Sequence, residues 1–164
     1  MYRRSNYSKN TRSVDKQPNI ENIKYFAITE QPLSLVGVSV KNIVSEQEYI
    51  KMRRACNRRA GANCEICGKL FPRGTDFKKK IYVSETYNYD LDSKVVTFND
   101  MLGLCWDCFV GLNPYIMDKK IEEQQMNSKQ ASSIISKRNN LMQLGGYSYT
   151  KLNRNAIFVF EYKG

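Results

Sequence analysis

The chain has 164 residues, with 26 Lys+Arg against 16 Asp+Glu, a formal charge of +10 and no histidine. The missing imidazole excludes His general bases, His-activated nucleophiles and every zinc site that needs a His ligand. The basic balance points to a polyanionic partner, most often nucleic acid, although basic surfaces also bind acidic proteins; no small-molecule substrate is expected.

A chain of this length reads as one domain with appendages and can bury roughly 70% of its unfolded surface. At 41% hydrophobic residues it has the composition of a globular protein. No apolar run approaches the about 18 residues that a spanning helix needs, and Met1-Tyr2-Arg3-Arg4-Ser5 is not followed by an apolar segment. The expectation is a cytoplasmic protein without a membrane partner.

Residues 1–19 are polar and basic, with Arg3, Arg4, Lys9, Arg12 and Lys16 facing one acid, Asp15. They read as a disordered basic arm, either a solubilising tail or one that settles on phosphates. Residues 20–63 read as a β-hairpin followed by a helix. Ile23–Ile28 and Leu35–Val40 are the β-rich runs, with a turn at Glu30-Gln31-Pro32. Ser45 and Glu48 have the spacing of a capping box, and Gly61 is the stop of a helix reaching about Ala60. On that helix Tyr49, Met52, Cys56 and Ala60 share an apolar face. Lys51, Arg54 and Arg58 lie opposite, with Arg53 and Arg59 at the flanks. Cys56 therefore reads as a small buried hydrophobe rather than a ligand.

Residues 64–113 carry the strongest signal. Cys64-Glu65-Ile66-Cys67-Gly68 and Cys105-Trp106-Asp107-Cys108 are two Cys-x-x-Cys pairs. Each lets a tight turn aim two sulfurs at one ion, and together they supply the four thiolates of a closed, structural zinc site. Such a site has no open position for water, so it cannot activate a nucleophile. With Zn²⁺ bound to four thiolates the net charge falls to about +8, still basic. Between the pairs, residues 81–89 alternate as one strand, Asp90–Ser93 makes a turn, and Lys94–Phe98 returns.

Residues 114–164 read as a helical extension ending in a strand. Pro114 suits a helix start, Asn127-Ser128 divides the helical stretch, and Gly145-Gly146 ends it. Ala156–Phe160 reads as a buried strand. The fold class expected is α+β: a treble-clef, ββα zinc-binding core with an N-terminal β-hairpin and C-terminal helices plus a strand.

From Met52 to Asn113 the chain resembles the HNH endonuclease family of treble-clef, ββα-metal nucleases common in bacteriophages. The likeness lies in Arg54–Gly68, Ser84-Glu85-Thr86-Tyr87-Asn88-Tyr89-Asp90 and Leu102–Phe109. The departures fall on the functional positions. Ser84 stands where the family places its catalytic histidine, and Phe109 where a histidine follows the last cysteine. Asn113 alone remains at a metal-binding position. The resemblance thus implies a retained scaffold and a lost nuclease activity, in a protein encoded by a phage and working in the host cytoplasm.

The expected function is non-catalytic, zinc-stabilised nucleic-acid binding. Its candidate contacts are Lys51, Arg54, Arg58, Arg59, Lys78, Lys79 and Lys80, with Tyr82, Tyr87, Tyr89 and Trp106 available for stacking. The alternative is a phage-encoded inhibitor or adaptor that binds a host protein. A carboxylate-only nuclease using Asp76, Asp90, Asp92, Asp100 or Asp107 is the third reading.

Overall fold

The computed structural model describes residues 14–28, 30–73 and 79–163. Among them are five α-helices and one three-stranded sheet, a mixed α+β architecture. In chain order these are α1 (Ile20–Ile23), α2 (Glu46–Ala60), β1 (Tyr82–Asp90), β2 (Val95–Leu104), α3 (Trp106–Leu112), α4 (Pro114–Glu122), α5 (Ser128–Gly145) and β3 (Val159–Glu161).

Local chemistry places most of these boundaries. Ser45 Oγ accepts from Glu48 N at 3.1 Å and starts α2. Gly61, at φ +63°, ends it. The first turn carries Glu46 and Glu48 and the last Arg58 and Arg59, charges that suit the helix dipole. Asp90 Oδ1 accepts from the backbone of Asp92 and Ser93, both at 3.1 Å, and closes the β1–β2 turn. Asn127 and Gln130 form a reciprocal capping box at the start of α5, and Gly146 ends that helix in the left-handed region.

Strand β1 pairs antiparallel with β2, with a register shift between Thr86 and Tyr87 opposite Asn99. Strand β3 adds to the far side of β2 in parallel, so the sheet order is β1-β2-β3. The principal core gathers Ile23, Phe26, Ile66, Leu102, Leu104 and Leu141 around the four paired cysteines. Smaller clusters form around Val110 and Met117 between α3, α4 and α5, around Leu35 and Phe158, and around Val40 and Cys56.

Three expectations need correction. The predicted hairpin over 20–44 does not appear among the described residues, which fold as α1 and three 3₁₀ turns, Lys24–Ala27, Leu33–Leu35 and Val40–Asn42. Its apolar residues insert singly into separate clusters. Ile23 and Phe26 enter the principal core, Leu35 the cluster around Phe158, and Val40 the cluster around Cys56. Burial of scattered anchors outweighs β propensity where the two runs have no shared face to bury.

Second, residues 14–19, expected to belong to a disordered arm, are held in place. Residues 1–13 lie outside the described residues, but 14–19 strap the first cysteine turn. Lys16 N donates to Gly68 O at 2.8 Å, Asn19 N to Ile66 O at 2.9 Å, and Leu70 N to Asp15 Oδ1 at 2.8 Å. Asn63 Nδ2 also donates to Val14 O at 2.8 Å. Each bond has a backbone group on at least one side, and such groups leave no pattern in a polar sequence.

Third, the C-terminal strand is three residues long and half-exposed. Phe158 is buried, but Val159 and Ile157 face outward.

Candidate metal centre and basic face

The first cysteine pair sits on a turn closed by its own backbone. Gly68 N donates to Cys64 O at 3.0 Å, and Cys64 N to Lys69 O at 2.9 Å. The turn needs Gly68 at φ +80°, a conformation L side chains rarely adopt. The second pair arrives on the other side of the site. Cys105 follows β2 as the N-cap of α3, and Cys108 lies in that helix's first turn. Glu65 joins the halves: its N–H donates to Gly103 O at 2.9 Å, and its Oε1 accepts from Gly103 N at 3.0 Å.

All four cysteines are buried and unbridged, and their Sγ atoms lie within 4.8 Å of one another. Cys67 Sγ and Cys105 Sγ are 3.7 Å apart. Sulfurs about 2.3 Å from a central Zn²⁺ would form a tetrahedron with edges of about 3.8 Å, so the arrangement fits a four-thiolate metal site. Hydrogen bonds from Cys105 and then Cys108 lower the Cys64 thiol to about 7 and pull Cys67 down as well. A bound cation would replace these shared protons.

A residue the sequence did not single out completes the site. Lys137 of α5 brings Nζ to 3.7 Å from Cys105 Sγ and 3.6 Å from Asp107 Oδ2. Burial opposes its charge, but the sulfurs of Cys108, Cys105 and Cys67 outweigh that and hold it protonated. It would offset part of the −2 that four thiolates and a divalent ion carry. No motif links a lysine in a later helix to this centre. Cys56 stays outside it. Fully buried, with Sγ 3.9 Å from Glu65 Oε1, its thiol is pushed up to about 11 by burial and then by Glu65.

The candidate nucleic-acid contacts divide. Lys51, Arg54 and Arg58 stand exposed on one face of α2 and make no salt bridge among the described residues. Lys79 Nζ donates to Gly61 O at 3.2 Å, which brings a second basic segment to the C-terminal end of that helix. Lys80 is exposed, and Lys78 lies outside the described residues. Arg59 is otherwise engaged. It donates to Glu65 from Nε and Nη2, both at 2.8 Å, to Asp100 at 3.3 Å and to Met101 O. Its guanidinium ties α2 to β2 and the cysteine turn, so it is a structural tie rather than a free cation.

The tyrosines proposed for stacking also pack internally. Tyr82 lies against Trp106 and Phe109, with ring centroids 5.2 and 5.5 Å away. Tyr87 meets Phe160 and Tyr89 meets Phe158.

Ser84 of β1 is buried near the C-terminal end of α3, where Asn113, the residue that caps the helix, brings Nδ2 to 3.5 Å from its Oγ. The carboxylates are dispersed. Asp90 caps its turn, Asp100 pairs with Arg59, and Asp107 pairs with Lys137. Asp76 is outside the described residues. The four cysteines are the only group of three or more potential Cys, Asp or Glu ligands among the described residues. Among those residues, too, no helix is long and apolar enough to cross a membrane. Comparison with family models, curated proteins and solved structures finds no match to this chain.

Proposed function

We propose that this is a zinc-stabilised, non-catalytic nucleic-acid-binding protein built on an inactivated HNH-type, treble-clef scaffold. The observation that carries the reading is the basic face of α2. Lys51, Arg54 and Arg58 project from one side of a rigid helix, with Lys79 held at its end. Exposed cations clustered on one helix face supply the long-range attraction to phosphates. The scaffold part of the reading is supported by the order of cysteine turn, hairpin and helix, with the second cysteine pair at the helix start.

Fluorescence anisotropy with labelled duplex DNA, single-stranded DNA and RNA at two salt concentrations tests this reading. Binding should weaken steeply as salt rises, since each neutralised phosphate releases condensed counterions. Arg54→Glu with Arg58→Glu should lower affinity and reduce the B-DNA salt slope by about 1.8, or about 0.9 for each lost phosphate contact. The fold should remain, because both side chains are exposed. An unchanged slope would mean the face is merely solvated.

No metal-dependent cleavage is expected from this protein. A hydrolytic site needs a base to activate water and an ion beside the phosphate. The pair at the corresponding place, Ser84 and Asn113, offers a hydroxyl and a neutral amide, neither of which ionises usefully near pH 7. Incubation of plasmid and single-stranded substrates with Mg²⁺, Mn²⁺ or Ni²⁺ should leave them intact. Cleavage that co-purifies with the protein and is lost in Ser84→Ala or Asn113→Ala would defeat the non-catalytic reading.

A further inference from the structure

We infer that the free edge of β1, from Glu85 to Tyr89, takes an extended peptide segment of a partner protein as an added strand. In the sheet order β1-β2-β3, β1 is an outer strand, and among the described residues its ladder partner is β2 alone. Every second residue along an outer strand therefore points its N–H and C=O away from the sheet. Proteins usually blunt such an edge with proline, lysine, a short strand or a cover. Strand β1 runs for nine residues and has neither proline nor lysine. The register irregularity falls opposite Asn99 of β2, so the residues of β1 remain in regular alternation.

A cleft of about 670 Å³ lies along this edge. It is lined by all five consecutive residues Glu85, Thr86, Tyr87, Asn88 and Tyr89. Successive side chains of a strand point to opposite faces of the sheet, so five in a row line one cleft only where it follows the strand's edge. The walls differ. Tyr25 hydrogen-bonds Asn99, which also bonds Thr86, and this places it on the Thr86 side. Val36 follows Leu35, which packs in the same cluster as Tyr87 and Tyr89, on the other side. The volume lies in the range of built ligand sites, and five strand residues span about 17 Å, the length of a short extended peptide.

The charge of the lining argues against nucleic acid here. Lys24 and Arg154 are matched by Glu30, Glu85 and Asp118, in a protein that is otherwise strongly basic. Phosphates would favour the face of α2 over this cleft. An edge whose backbone groups have no partner among the described residues, with an aromatic side chain on each side of it, Tyr25 by Thr86 and Tyr87 by Glu85, suits an extended peptide that carries apolar side chains. Main-chain hydrogen bonds would supply affinity, and alternate side chains selectivity.

The test pans a phage-displayed random hexapeptide library on the zinc-loaded full chain, and then synthesises the enriched sequence. Bound peptide should slow backbone hydrogen exchange at least tenfold at alternate residues within 85–89. N-methylation at every second peptide amide should weaken binding at least tenfold, while methylation at the intervening amides should not. Asn88→Lys places a charge in the wall of the cleft and should weaken the peptide, with zinc content and circular dichroism unchanged. The inference is overturned if no peptide is enriched, if protection maps elsewhere, or if methylation shows no alternation. It is also overturned if hexathymidine protects the same amides and displaces the peptide, or if light scattering shows a dimer that Asn88→Lys dissolves. The Arg54→Glu, Arg58→Glu protein should bind the peptide normally, which separates this edge from the basic helix.

Discussion

Removing the metal should unfold the central part of the protein. Structural zinc contributes about 10–16 kcal/mol of apparent binding energy at pH 7 in small zinc modules, while a whole domain is stable by about 5–15 kcal/mol. Here the four cysteines lie inside the principal core, against Ile66, Leu102, Leu104 and Leu141. Loss of the ion would leave four sulfurs crowded within 4.8 Å without the charge that holds them. Cys64→Ser or a strong chelator should therefore cost at least about 5 kcal/mol and lower the melting temperature by about 10–20 °C. Acid should act in the same direction, because protons compete with the metal for thiolates. Metal analysis should find one zinc per chain, and circular dichroism melts should follow its removal. Cys56→Ser should retain the metal, since that thiol lies outside the site. A protein without zinc, or one whose melt ignores Cys64→Ser, would refute the assignment.

The second large effect should come from Gly68→Ala. A Cβ at this position would lie 2.3 Å from Lys16 O and 2.6 Å from Gln17 O, both backbone atoms that cannot rotate away. The residue also sits at φ +80°, which costs an alanine about 1 kcal/mol or more. The strap over residues 14–19 would have to lift, with loss of the bonds to Gly68, Ile66, Leu70 and Asn63 at about 1 kcal/mol each. The total is about 3–6 kcal/mol. Hydrogen exchange should speed up across residues 14–22 before the rest of the chain. Gly37→Ala is the control: Gly37 has φ +82° with no atom within 4 Å of the added carbon, so it carries only the conformational cost. Equal losses from the two substitutions would show that the strap contributes nothing.

Position 68 marks how far sequence reading reaches at this centre. The two Cys-x-x-Cys spacings picked out the four cysteines that cluster in the structure, and the glycine after the first pair identified the turn. That the same glycine must also be bare, to let Lys16 and Gln17 pass, depends on a contact from fifty residues upstream. Lys137 is similar. Its role depends on α5 packing beside α3, and one lysine in an exposed-looking helix carries no sign of it. Arg59, at the flank of the helical wheel, groups with Arg58 in the sequence as a candidate phosphate contact. One residue's rotation, about 100°, brings it within reach of Glu65 and Asp100.

The parts legible from sequence alone were those governed by short-range chemistry. Ser45 and Gly61 bound α2, Asp90 turns the hairpin, Asn127 and Gly146 bound α5, and Gly68 turns the chain at the first cysteine pair. Each depends on groups within a few residues, so its signal is written locally. Tertiary structure decided the course of residues 14–44, the tie made by Arg59, and the open edge of β1. In residues 20–44 the apolar side chains are too scattered to share one face, so the core that each could reach set the backbone. Docking of residues 14–19 relies on two backbone–backbone hydrogen bonds and on one each made by the Asp15 and Asn63 side chains, groups that only folding brings to the cysteine turn.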